Sequence, residues 1–357
     1  MRKTVLSVIC LCLAILTLVG CTPASSIIKD TTAENTGIFA APGEDYLTEP
    51  KDYVIKSKNN YAFYLVEYLY FFGNVLKSFG EDELKEYGFD KDTPLKEQTV
   101  RGYDGVTWFE FIDSITMDEL KRILIACEYA YAEKPSYLTA AKSYIELVKN
   151  DIKHASGNDP DGYIRERFGE GISYQNYLNA VQMEYIYELY LTDIYKANMD
   201  ALTDAEVADH AKDIENKDET PIRRIVYLYA ESRGQAEDFT AELGDTVNFE
   251  SISALADEYE LTAIEEYLMK DSAVAKEIVE WSFDASRTVG ERATVKVEKE
   301  DRYEYSAVFY LGEGEATYLF KSRLELANER SESYIKGKVE SYTDFTLDVT
   351  VLDDVNI

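Results

Sequence analysis

The chain has 357 residues, with 37 Lys or Arg against 68 Asp or Glu, a formal net charge of −31, four Cys and two His. So acidic a balance excludes nucleic acid as a partner, and excludes adsorption to anionic lipid through a basic patch. So few histidines and cysteines cannot close a zinc site, and the sequence has no phosphate loop, dinucleotide fingerprint or GxSxG, so neither metal nor cofactor is expected.

The N-terminus opens on a basic "MRK", followed by Thr4 to Gly20, an apolar run without an acidic residue. That arrangement is a secretory signal rather than a spanning helix. It ends in "LVGC", Leu18 to Cys21, which resembles the lipobox of bacterial lipoproteins. The resemblance implies cleavage after residue 20, a diacylglyceryl group on Cys21, and a body held at the extracytoplasmic face of the cell membrane. Two or three acyl chains are what stable anchoring needs, since one gives only marginal binding. Cys10 and Cys12 leave with the signal, so Cys127 has no partner and no intrachain disulfide is expected. Residues 21–50, small and polar with Pro and Gly, are a flexible tether.

From Asn59 to Phe79, "NNYAFYLVEYLYFFGNVLKSF", apolar residues fall on nearly every helical face, which predicts a buried helix. Glu67, Asn74 and Lys77 interrupt it and exclude a membrane span. A loop over Gly80 to Gly105 follows. Thr107 and Glu110 then stand in capping-box spacing before a helix to about Lys134. Further helices are expected over Ser136 to Ala155, in "YIRERFGEG", and over Tyr174 to Leu202 with Ser173 as cap. Another runs from the Thr203 and Glu206 box to about Asn216. "GNDPDGYIRERF" fails as a calcium loop, because Gly157 and Phe168 stand where ligands are required. Tyrosine is abundant, 29 residues in all. Tyr174, Tyr177, Tyr185, Tyr187, Tyr190 and Tyr195 do not share one helical stripe, so some are expected at a surface or concavity.

Past the acidic "ENKDET" the pattern changes. "PIRRIVYLYAES" alternates as a strand, with Ile222, Arg224, Val226 and Leu228 on one side and Arg223, Ile225, Tyr227 and Tyr229 on the other. Helices over Arg233 to Leu243 and Phe249 to Tyr259, a helical stretch from Ala273 to Glu280, and strands near Thr294 to Glu298 and Tyr303 to Leu311 complete a compact module. The last part is a helix to about Glu340 and a strand-like "FTLDVTVL". The fold class is therefore α+β: a mainly α-helical region over 51–218, a small α+β domain over 219–312, and a helix and strand tail over 313–357.

The lipobox, "YIRERFGEGISYQNYL" in a helical region, and the strand-helix-helix-strand order with "IVEWSFDASRTVGE" before the last strands resemble extracytoplasmic foldases of the PrsA/SurA type. In that family a helical chaperone domain carries a parvulin prolyl isomerase domain. The resemblance puts Arg224 of "RRIVYLY" at the first parvulin histidine, Gly290 and Glu291 at the "GE" before the penultimate strand, and Ser306 of "YEYSAVFY" or a neighbour at the second histidine. Parvulin catalysis is attributed to a hydrogen-bonded histidine pair, and both are missing, since His154 and His210 lie in the helical region. Arginine stays protonated and cannot replace a tunable imidazole.

The resemblance thus implies a membrane-anchored chaperone that binds unfolded segments of exported proteins, with a parvulin-like domain stripped of its chemistry and no catalytic residue assigned. The module's aromatic residues Tyr227, Tyr229, Trp281, Phe283, Tyr305 and Phe309 are the candidate peptide-binding set. Two rivals remain open: an isomerase whose proline pocket is shaped by Tyr227, Ser306, Trp281 and Phe283, and an envelope scaffold with one stoichiometric partner.

Overall fold

The computed structural model describes residues 53–168, 172–299 and 302–352. The expected signal peptide, the expected lipid site Cys21 and the expected tether lie outside the described residues. The described chain forms two compact units, one of residues 53–196 with 331–352 and the other of 197–330. Its class is the expected α+β.

The first unit begins with β1 (Tyr53–Lys56) and β2 (Ala62–Tyr64), an antiparallel pair completed by β7 (Thr346–Leu347) in the order β2-β1-β7. The single buried helix expected over Asn59 to Phe79 is therefore corrected: α1 spans only Leu65–Ser78. Asn60 has φ 64, the left-handed conformation that Asn tolerates, and turns the chain between β1 and β2. Glu67 then accepts the Tyr64 amide at 3.1 Å and fixes the helix start. The loop expected over 80–105 contains a short helix, α2 (Glu81–Glu86).

The β1–β2 turn is clamped by one carboxylate. Ser57 Oγ and the Asn59 amide donate to Glu128 Oε1 at 2.6 and 2.9 Å, and Asn59 Nδ2 donates to Oε2. Hydrogen bonds to a charged group are the stronger kind, so Glu128→Ala is expected to cost about 2 kcal/mol. The midpoint of urea unfolding at unchanged slope measures it; a loss no larger than that of an exposed Glu→Ala would count against the clamp.

Four further helices follow: α3 (Trp108–Ala132), α4 (Pro135–Ser156), α5 (Pro160–Phe168) and α6 (Tyr174–Ala201). Thr107 and Glu110 make the expected box, with Glu110 N donating to Thr107 Oγ1 at 3.2 Å and Thr107 N to Glu110 Oε2 at 2.8 Å. Ser173 Oγ accepts the Asn176 amide at 3.2 Å. The core gathers Tyr68, Phe71 and Phe72 of α1, Trp108, Leu120 and Leu124 of α3, and Tyr190 of α6. Val339, Tyr342, Phe345 and Leu352, from the end of the chain, join it. Cys127 is fully buried there, and burial pushes its thiol up, which makes it inert.

In the second unit α7 (Asp204–His210) opens on the Thr203 and Glu206 box but stops before the expected Asn216. The residues beyond it, "AKDIENKDET", offer no apolar stripe to hold a helix. A four-stranded antiparallel sheet follows in the order β4-β3-β6-β5, from β3 (Pro221–Ala230), β4 (Ile264–Leu268), β5 (Arg292–Glu298) and β6 (Tyr303–Ala316). Helices α8 (Arg233–Glu242), α9 (Phe249–Glu258) and α10 (Lys276–Ser282) connect its strands. Strand β4 was not expected from the sequence. α11 (Thr317–Ser341) leaves β6 directly, its first residue tied to Thr220 by two hydrogen bonds of 2.8 Å.

Candidate functional site

The alternation along β3 sorts its side chains as the strand period demands. Val226, Leu228 and Ala230 point into a core with Ala236 and Phe239 of α8 and Ile252 and Ala256 of α9. Ile225 and Tyr227 point into a second cluster, with Val308 and Tyr310 of β6, Val295 and Val297 of β5, and Ile278 and Val279 of α10. The two faces of one sheet thus carry separate apolar clusters.

The six candidate aromatics divide between these faces. Tyr227, Tyr229, Trp281 and Phe283 belong to the α10 face, with the rings of Tyr227 and Tyr229 edge to face at 5.6 Å. Tyr305 and Phe309 lie on the α8 and α9 face. Phe309 is fully buried there, edge-on to Phe239 at 5.9 Å. On the α10 face two of the rings carry a guanidinium: Arg287 sits 4.5 Å over Trp281, and Arg223 5.2 Å over Phe283. Tyr229 is the most open of the set, 37% exposed.

Pairing of β3 with β6 sets where Arg224 and Ser306 stand in the sheet. Ser306 stands opposite Tyr229, whereas Arg224 stands opposite Gly312. Arg224 is moreover on the α8 and α9 face, ion-paired to Glu265 at 3.3 Å and 5.5 Å from the Tyr267 ring centroid. Arg224 and Ser306 therefore cannot form a cross-strand pair. They are apart because Arg224 precedes Tyr229 by five residues on β3; the register also breaks between Pro221 and Arg223 and between Arg224 and Ile225, where Gly312 takes φ 132. Ser306 is fully buried, and its hydroxyl donates to the Leu228 carbonyl at 2.8 Å.

The charges around the two tyrosines came from residues that sequence reasoning missed. Burial, then Tyr229 and Glu266, pushes the Tyr227 hydroxyl up to about 12. Burial, then Glu304 and Glu277, also raises Tyr229. Both are neutral phenols at physiological pH; Tyr227 is buried, and Lys299 lies 5.7 Å from the Tyr229 ring centroid. Glu304 is matched by Lys299 at 3.5 Å and Arg302 at 2.9 Å. Glu266 has no salt bridge among the described residues. Neither histidine lies in the sheet: His154 is in α4, and His210, in α7, is 3.9 Å from Glu329.

In the first unit, the tyrosines of α6 are mostly engaged in packing. Tyr190 is buried, while Tyr177 stacks on Phe168 at 4.9 Å and Tyr185 on Tyr144 at 4.1 Å. Tyr174, Tyr187 and Tyr195 are half-buried. No helix among the described residues is long and apolar enough to cross a membrane, and no group of three or more His, Cys, Asp or Glu is placed there to hold a metal.

No family model matches the sequence, and no curated protein matches it. Among solved structures the chain is similar to PrsA from Bacillus subtilis, at 16% identity, over 74% of this chain and 94% of that one, with a TM-score of 0.31. It is similar to the foldase protein PrsA from Lactococcus lactis at 11% identity, over 85% of this chain and 97% of that one, with a TM-score of 0.27. For foldase protein PrsA from Streptococcus pneumoniae the values are 12%, 71%, 97% and 0.25.

Proposed function

We propose that the chain is a lipid-anchored extracytoplasmic foldase or holdase that binds unfolded segments of exported proteins, with a parvulin-like sheet that does not catalyse. One observation carries this: Tyr229 stands 37% exposed, edge to face with the buried Tyr227, on a sheet without a histidine. Tyrosine combines a large apolar body with a polar tip, which suits transient capture of diverse partly folded chains. Tyr305 and Phe309 support the sheet from behind and are not part of the proposed surface. In this proposal residues 1–20 are removed, Cys21 carries the lipid, and 21–50 hold the body off the membrane.

The test is light scattering from a reduced, aggregating client with the mature chain added. Suppression at stoichiometric amounts is expected, weakened several-fold in Tyr229→Ala at unchanged fold. No suppression at excess would overturn the proposal. Clear catalysis in a protease-coupled Xaa-Pro peptide assay, abolished by Tyr227→Phe, would favour the isomerase instead. Cys21→Ser is expected to release the protein from the membrane fraction.

A further inference from the structure

The end of the chain leaves a sheet edge open. The segment "FTLDVTVL", Phe345 to Leu352, has the alternation and β-branched content of a whole strand. Only Thr346–Leu347 pairs, as β7 at one end of the order β2-β1-β7, before a 3-10 turn over Val349–Leu352. Asp348 N donates to the Val54 carbonyl at 3.0 Å and Leu347 stands opposite Ile55, so in the antiparallel alternation the Leu347 N–H and C=O point away from β1. No strand among the described residues takes them. The side chains beside them are also uncovered, Leu347 being 47% and Val349 54% exposed. An edge with free backbone groups and exposed apolar side chains is a template for another extended chain. Charge selects which chain. Asp344 is exposed and Asp348 half-buried there, and Lys56, opposite Thr346, lies 4.9 Å over the Tyr53 ring instead of on either carboxylate. A second copy would bring the same carboxylates and another net charge of −31 against them, whereas a basic segment is attracted at long range.

We propose that β7 captures an extended apolar client segment flanked by Lys or Arg, which adds to the three-stranded sheet along its free edge, with its backbone on Leu347 and its cation near Asp344 and Asp348. The inference rests on the proposed function for the nature of the occupant. It names a surface in the first unit, not the sheet that carries Tyr229.

The experiment uses the full chain and fluorescence anisotropy of labelled peptides that share one apolar core flanked by lysines, serines or glutamates. The lysine peptide is expected to bind about tenfold more tightly than the glutamate peptide, the scale of one charge interaction at a partly screened site. Single N-methyl groups moved along its core should weaken binding at every second residue, because only alternate amides of an added strand face the edge. Leu347→Pro removes the outward N–H while the Asp348 bond to Val54 stays, and should weaken binding about tenfold. Leu347→Ser, which keeps that N–H, should weaken it less and preserve the alternating pattern. Asp344→Asn should narrow the lysine preference, and Asp209→Asn, an equal charge change on α7, should not. Loss without alternation along the peptide, full affinity in Leu347→Pro, or equal effects of the two Asp→Asn changes would each overturn the inference, as would equal binding of the three peptides. Binding of no peptide while client aggregation is still suppressed would overturn the inference alone; loss of suppression as well would overturn the proposed function with it.

Discussion

Phe309→Ala is expected to lower the stability of the second unit by about 3–5 kcal/mol, the range for removing a fully buried phenylalanine and leaving a cavity. Phe309 lies at the middle of β6, opposite Val226 of β3 and Arg292 of β5, with no exposed surface. Its ring meets Phe239, which in turn meets Tyr259 edge to face at 5.3 Å. The truncation thus opens the sheet from the side of α8 and α9, where nothing can collapse into the gap without shifting two aromatic rings. Tyr229→Ala, at 37% exposure on the other face, should cost about 1 kcal/mol or less. Hydrogen exchange of the β3 and β6 amides measures both. The contrast matters for function: one residue is predicted to change stability and the other to change client binding. Equal destabilisation by the two would contradict the division of the sheet into a supporting and a presenting face.

That division was half legible in the sequence. The alternation in "PIRRIVYLYAES" separates Arg223, Ile225, Tyr227 and Tyr229 from their neighbours, and the structure sorts them in the same way. The capping boxes at Thr107 and Thr203 and the Ser173 cap were readable because a helix start depends on residues within one turn. The short strands were not. β1 and β2 have four and three residues, so no local period announces them, and of the strand-like "FTLDVTVL" only Thr346–Leu347 pairs, with β1 almost three hundred residues away, while Val349–Leu352 is a 3-10 turn. β4, "IEEYL", carries charge on both faces and lacks a clean alternation. Strand register was beyond reach for a related reason. The pairing of β3 with β6 shifts twice near Gly312, a geometry that composition does not encode.

Between about pH 5 and pH 7 the first unit is expected to lose stability as pH rises, on the order of 1–3 kcal/mol, through Glu119 and Glu184. Glu119 of α3 and Glu184 of α6 face each other, with Tyr70 of α1 close to both. Burial is the leading cause for each: it pushes the Glu119 carboxyl up to about 7 against the pull of Arg122, and Glu184 is held well above its ordinary range by burial, Glu119 and Glu188. Arg122 cannot serve both, since it is already engaged by Asp118 at 2.7 Å and Glu332 at 2.8 Å, with Tyr187 beside it. A carboxyl whose folded pKa lies above its unfolded value near 4.5 binds more protons folded than unfolded, so its stabilising share is complete below 4.5 and disappears as pH passes 7. Carboxylates held low act at the other end: Glu206, near 2, loses its share only as pH falls below the unfolded range, outside this window. Urea midpoints from pH 5 to pH 8 measure the slope, and Glu119→Gln should flatten it by removing both a titrating group and its repulsion of Glu184. A slope unchanged in Glu119→Gln, or stability that rises across the window, would mean that the two carboxyls are solvated and ionise independently. A flattened slope would instead show that the helical unit holds protons near neutrality, so that its stability falls as its surroundings become more alkaline.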